Sequence, residues 1–555
     1  MAGGLLNLVA VGNQNVFLTG NPKKTFFKFV YAKYTNFGLQ RFRLDYEGSR
    51  NLNLNEKTHF TFKVKRYADL LMDTYLVIRM PHIWSPLYYN AYAEPYCQYI
   101  PYEFKWICDL GTQMIDEIRV TCGGETLQRF TGQYLTALVQ RDFSNTKKDL
   151  YNRMTGNTKR WNDPANYGNN NGQYPNAVYS NTPGGAEPSI RGGNLYIPIN
   201  IWFTLSSKMA FPLVSLQYNE LEIHITLRPV RELFTIRDVT DRNGMYPHIA
   251  PNFNDPNQQM YIFLQTPPND NIIRDGGNKN TQLIFEDRRT EWDADVHLMS
   301  TYGFLDEEER RSFAKNPQNY LVKEIYEYKF FNVSETAKVF LDSLGMVSSW
   351  TFFFRRSDAD LRNEWSNYTN WPYKKTPLYL IPYTVDANVG EDCFSSEPTN
   401  QLLFKGAITG QYESYYQKNI LLDLAILLDG KYRENMLEAG VYNEIEKYVR
   451  TSGNGPDGLY VYNFCIQTDC FQLQPSGAIN LSKFRNIEFE FTTITPDRDT
   501  DVQFYQVCDP TTGLAVGVNK PVWRIFEYTY DLYVYEERYN MVKFESGNCG
   551  LMYAR

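Results

Sequence analysis

Gly453–Gly458 reads GNGPDG, the G-x-G-x-x-G spacing whose backbone amides can cradle a phosphate. That chemistry needs a strand before the glycines and a helix after them. Here a helical pattern precedes, the strand-like GLYVYNF follows and Pro456 sits inside, so the spacing predicts a turn. The five histidines are His59, His82, His224, His248 and His297. None is spaced as a metal pair, and His224 and His297 fall in strand patterns, so structural roles are expected. There is no P-loop and no G-x-S-x-G elbow. The eight cysteines are dispersed; Cys465 and Cys470 are the only pair close in sequence, and no second pair or nearby His completes a metal site. Reduced structural thiols are expected in a large chain without a secretory signal. No catalytic residue, cofactor or metal is assigned, and the chain is read as a non-enzyme.

Three features remain as candidate contact or modification sites. Lys23, Lys24, Lys28 and Lys33 make an aromatic N-terminal stretch basic within a chain of net charge −7. Two readings apply: packing of this stretch under the chain's own first sandwich, or an inner-face contact with acidic lipid headgroups or minor shell proteins. N-x-S/T sequons occur at Asn332, Asn367 and Asn480; Asn367, in a long insertion, is the one expected to be exposed. Tyr88, Tyr89, Trp365, Tyr368 and Trp371 lie in loop-like stretches, where they either stack on sugars or pack the loops onto a sandwich.

The elements that position these residues are strands. Leu221–Leu227, LEIHITL, alternates apolar and polar side chains, as a strand with one buried face does. Similar runs include Phe42-Leu44-Tyr46, Phe60-Phe62-Val64, Thr74–Met80, NLYIPINIWF from Asn194, ADVHLMSTYGF from Ala294 and, late in the chain, IEFEFTT and RIFEYTYDLYVYEER. Gly123-Gly124 and Asp429-Gly430 read as hairpin turns. Helices are expected after Thr131, a plausible N-cap, and near Met436–Tyr448. The run DEEERR from Asp306 reads as a solvated turn or helix. Long loops are expected at 143–193, 231–290 and 358–417. Aromatics form 16% of the 555 residues, ample for β-sheet cores, while the acidic balance disfavours general nucleic-acid binding. No apolar run is long enough to span a membrane.

The pattern occurs twice. Early strands repeat at a spacing of roughly 275–280 residues, the glycine turns at about 306, the LYI/LYV and LEI/IEF runs at about 265 and the last strands at about 230. Each change of spacing coincides with one of the loop insertions. Chance alternation would not keep strand order while shifting register only at loops. About eight strands per copy fits an antiparallel sandwich such as the jelly roll.

The opening GGLLNLVAVGNQNVFLTGNPKKTFFKFVYAKYTNF, the glycine turn with LQRFTGQYL, and STYGFLDEEERRSFA with NYLVKEI resemble, in order, the major capsid proteins of nucleocytoplasmic large DNA viruses. The resemblance implies an all-β fold of two tandem eight-stranded antiparallel jelly rolls with long loop insertions and a few short helices. It places an arm at 1–24, a first roll at 25–315 and a second at 316–555. It implies a homotrimer forming a pseudo-hexagonal capsomer that tiles an icosahedral virion capsid, assembled in the host cytoplasm. Its implied partners are neighbouring capsomers, minor capsid and penton proteins and an internal membrane, with no specific nucleic acid and no cofactor. The alternative is a carbohydrate-binding or carbohydrate-active β-sandwich protein.

Overall fold

A computed structural model describes residues 5–553. The segments 90–98, 178–185, 240–246, 269–284, 373–416 and 520–524, and positions 11, 24, 49–50, 286, 497, 499–501, 503–504 and 509–511, lie outside the described residues.

The alternation of LEIHITL becomes a strand whose Leu221, Ile223, Ile225 and Leu227 are buried while Glu222, His224 and Thr226 are half-buried. It belongs to a set of eight: β1 (Phe37–Leu44), β2 (Thr58–Lys63), β3 (Leu70–Met80), β4 (Ile115–Cys122), β5 (Glu125–Phe130), β6 (Gly193–Pro198), β7 (Leu221–Leu227) and β8 (His297–Leu305). These form two antiparallel sheets, ordered β1-β8-β3-β6 and β2-β7-β4-β5, with short strands added on β2 and β3.

The second half supplies β9 (Gln318–Val333), β10 (Thr336–Phe340), β11 (Met346–Arg356), β12 (Leu421–Leu428), β13 (Lys431–Glu438), β14 (Leu459–Asn463), β15 (Ile487–Thr493) and β16 (Tyr530–Glu545). Its sheets run β9-β16-β11-β14 and β10-β15-β12-β13, again antiparallel. The same wiring therefore occurs twice, as the shifting repeat predicts, and it is the two-sheet pattern of a jelly roll. Both hairpin turns close with two residues at positive φ: Gly123 (61°) and Gly124 (90°), Asp429 (48°) and Gly430 (74°). That is the geometry whose twist matches the flanking strands.

Each half has a core, and the two differ in reach. One cluster holds only second-half residues, among them Trp350, Phe352, Phe354, Phe489 and Leu532. The first-half cluster continues into the second half through Phe353, Trp365, Tyr368, Tyr533, Tyr535 and Phe544. The sheet containing β11 and β16 is thus covered on both faces. This is why SWTFFF is buried throughout: Trp350, Phe352 and Phe354 enter the second-half core, while Ser349 and Thr351 face the junction.

Several local expectations are corrected. The stretch 143–193 is partly helical, with Asn145–Thr155 and Lys159–Asn162. The expected strand NLYIPINIWF ends at Pro198, and Trp202–Leu205 is a helical turn. Of Met436–Tyr448, the first residues belong to β13 and helix begins only at Ala439. The final strand starts at Tyr530, leaving Phe526 51% exposed. The DEEERR run is helical over Glu307–Lys315 with no buried side chain. Its three leading glutamates favour the helix N-terminus.

Candidate functional site: the junction between the halves and the exposed arm

Thr131 caps helix α1 (Gly132–Asp142) by accepting from the Tyr134 amide. Nearly every α1 side chain is buried, because the helix lies between the two halves. Its start is tight: a side-chain carbon at Gly132 would sit 1.9 Å from the Thr112 carbonyl oxygen. Its end carries the charges of the junction. The Arg141 guanidinium donates to Glu537 Oε1 of β16 at 2.6 Å and to both Asp142 carboxylate oxygens at 2.8 Å. It also donates to Thr351 Oγ1 at 3.1 Å. Glu537 accepts further from Tyr134 (3.0 Å), Ser349 (3.2 Å) and Lys323 (3.3 Å), and Thr468 donates to Asp142 at 2.8 Å.

Two cations thus face two carboxylates in a largely buried interface, and each carboxylate accepts from more than one donor. Burial alone would raise the Glu537 pKa, but Arg141 and Lys323 outweigh it and hold it at about 2. An arrangement of this kind sets the relative placement of the halves; it offers no open position for a substrate.

The GNGPDG turn docks on the same helix. Gly453 N and Gly455 N donate to the carbonyl oxygens of Arg141 and Gln140 at 2.8 and 2.9 Å. Those carbonyls belong to the helix's last turn, where acceptors lack intrahelical partners. The amides of this glycine loop therefore meet a helix C-terminus rather than a phosphate.

Trp365 and Tyr368, weighed above as sugar-stacking rings, are 9% and 2% exposed. Trp365 donates from Nε1 to the Glu232 carbonyl at 2.9 Å, and the Arg228 and Arg355 guanidinium groups lie over its ring at 4.6 and 5.2 Å. Both rings plug the junction; Tyr88 and Trp371 are half-buried, and the Tyr89 side chain lies outside the described residues. Asn367 is also buried, at 5%, and donates to the Trp371 carbonyl while accepting from Thr369. The expectation that Asn367 is exposed is therefore overturned; the exposed sequons are Asn332 and Asn480.

The histidines take structural positions. His224 bridges Thr61 and Thr121 across three strands, and His59 pairs with Thr226. Among the described residues, no group of three His, Cys, Asp or Glu is placed to hold a metal.

The N-terminal stretch does the opposite of packing. Phe26, Phe27, Phe29, Val30, Tyr31 and Tyr34 are 76–105% exposed, so the reading in which they pack under the first roll does not hold. Lys23, Lys28 and Lys33 are exposed beside them; Lys24 lies outside the described residues.

Two similarly wired jelly rolls in one chain, joined across a buried charged seam and preceded by an exposed aromatic stretch, define the class by its architecture: a tandem jelly-roll protein. The comparisons agree. A profile described as "Major capsid protein N-terminus" matches residues 25–264, and one described as "Large eukaryotic DNA virus major capsid protein" matches 309–550. The major capsid protein of Phaeocystis pouchetii virus is 24% identical over the whole of both chains, and that of Paramecium bursaria Chlorella virus 1 is 25% identical over the whole of both. In fold, the chain is similar to the PBCV-1 virus capsid protein (TM-score 0.60, 18% identity, covering 96% of this chain and 100% of that one). It is also similar to the Faustovirus major capsid protein (TM-score 0.59, 12% identity, covering 96% and 94%). The chain belongs to the major capsid proteins of large eukaryotic DNA viruses. Its place is the virion capsid, and its role is structural rather than catalytic.

Sequence reasoning missed Arg141, Asp142 and Glu537. Arg-Asp at the end of an apolar helical pattern is a faint sign of a buried pair, but nothing local pairs it with a residue near the far end of the chain.

Proposed function

We propose that three copies of this chain associate as one pseudo-hexagonal capsomer, with rolls spanning 25–315 and 316–555 at alternate corners and residues 1–24 as the arm. The duplicated wiring supports this most directly: two similar rolls per chain give six similar corners per trimer. Exposed apolar side chains on both rolls, such as Leu39, Phe340, Tyr432, Tyr448 and Val449, supply material for lateral contacts. Such contacts belong to the obligate class of above roughly 2,000 Å².

The exposed stretch 23–34, at the passage from the arm into the first roll, reads as an inner-face contact. Its rings are solvent-exposed within the isolated chain, and Lys23, Lys28 and Lys33 lie among them. Acidic lipid headgroups of an internal membrane or minor capsid proteins are the partners this chemistry fits; penton proteins and neighbouring capsomers would meet the rolls' sides. Burial of Trp365 and Tyr368 takes support from the carbohydrate reading.

Imaging of the purified protein tests the proposal. Six-sided particles with threefold symmetry are expected; elongated single-chain particles would contradict it. Flotation on anionic vesicles tests this contact: wild type should bind, and a variant with Lys23, Lys24, Lys28 and Lys33 changed to Gln should bind much less. Equal binding would count against a lipid contact.

A further inference from the structure

The C-terminal hairpin of the second half reaches back onto the first. It is made by β16 and a four-residue strand, β17 (Asn548–Leu551), paired with Phe544 opposite Cys549. At its tip, the Gly547 carbonyl accepts from the amides of Gln217 and Tyr218 at 2.9 and 3.3 Å. The approach is at backbone level: a side-chain carbon on Gly547 would lie 2.9 Å from Gln217 Cβ. This docking brings Cys549 onto the end of β4, where Cys122 sits opposite Leu221. The two residues are 6% and 1% exposed and share one apolar cluster. Glu125, the strand partner of Cys122, lies against the residue next to Cys549: a side-chain carbon on Gly550 would sit 3.2 Å from Glu125 Oε2. Both are free thiols in this structure.

We propose that Cys122 and Cys549 form an oxidisable pair, a modification site that closes as a disulfide between the first half and the C-terminal hairpin. No adjacency in sequence hints at it, and it departs from the expectation of purely structural thiols. Two features give it chemistry beyond proximity. First, β17 is a short edge strand that pairs with β16 alone in its sheet, and such strands open locally at low cost, which admits an oxidant. Second, the hydrogen bond from Cys549, with Arg66 nearby, holds the Cys122 thiol below its ordinary range despite burial, while Cys549 is pushed up. That direction favours Cys122 as the attacking sulfur.

The co-reactant is a small-molecule disulfide. The Cys122 thiolate attacks one of its sulfurs, forming a mixed disulfide and releasing one thiolate. Deprotonated Cys549 then attacks Cys122 Sγ, closing the protein disulfide and releasing the second thiolate. Two electrons pass from the cysteine pair to the small disulfide, and its two thiolates take up the two protons lost. A virion that leaves a reducing cell for an oxidising medium meets the conditions for this step.

The test uses the purified full-length protein treated with glutathione disulfide or with a reducing agent, then alkylated under denaturing conditions. Tryptic digestion of the oxidised sample should give residues 120–129 joined to residues 544–555 by a reducible bond. The oxidised form should melt about 3–8 °C above the reduced form, because the bond closes a very long loop. Cys549→Ser, at the chain's edge, should abolish both effects while melting like the reduced wild type; Cys122→Ser serves as the second variant. Complete alkylation of both cysteines after oxidation would overturn the proposal, as would cross-chain dimers as the main product.

Discussion

Arg141 and Glu537 meet at 2.6 Å with 1% and 2% of their side chains exposed, one from a first-half helix and the other from the last long strand of the second half. A pair removed so fully from water is stable only if every remaining donor and acceptor is used. Here Asp142, Lys323, Tyr134, Ser349 and Thr351 supply those partners. The pair thereby fixes how one roll sits against the other.

Removing one partner should be costly. Arg141→Met is expected to lower unfolding free energy by roughly 3–5 kcal/mol, since Glu537 keeps only Lys323 as a cation. The double variant Arg141→Met/Glu537→Leu should lose clearly less than the sum of the two single losses. Denaturant titration of all four proteins checks this; simple additivity would contradict it.

Acid should weaken the same seam. The folded-state pKa of Glu537 lies at about 2, below its ordinary 4.5, so its stabilisation is complete above the higher value and fades as pH falls towards the lower. The melting-temperature gap between wild type and Glu537→Gln should therefore be widest near neutral pH and shrink by about pH 3. A gap independent of pH would show that the carboxylate's charge is not what matters.

The glycine turn offers a sharper contrast. A side-chain carbon at Gly453 would lie 2.5 Å from the Gln140 carbonyl oxygen and 2.6 Å from that of Arg141, whereas one at Gly440 meets nothing within 4 Å. Gly453→Ala should cost about 2 kcal/mol or more. Gly440→Ala should be neutral or slightly stabilising. Thermal melts of the two variants separate these outcomes, and similar melts would undercut the docking.

Trp365→Ala should cost about 3–5 kcal/mol, because it empties a buried site, leaves the Glu232 carbonyl without its donor and removes the ring beneath two guanidinium groups. A surface sugar-stacking ring would instead leave the melt unchanged.

What was legible in the sequence was what local periodicity encodes. Period-two runs such as Leu221–Leu227 announce strands with one wet face, and glycine pairs at 123–124 and 429–430 announce hairpins. Strand order survived insertions, so the duplication could be read through its shifting offsets. Properties set by distant partners were hidden. Helix Asn145–Thr155 carries few apolar residues and is held by the burial of Tyr151, Lys148 and Thr155 in tertiary contacts. Asn367 looks like an exposed sequon because neighbouring polarity says nothing of the junction that buries it. The aromatics of 26–34 look like core material, since composition does not record that nothing among the described residues covers them.

The number of chains in the native particle bears most directly on the account. Native mass measurement of the purified protein at micromolar concentration should give three times the 64.9 kDa of one chain. A stable single-chain species under those conditions would contradict it.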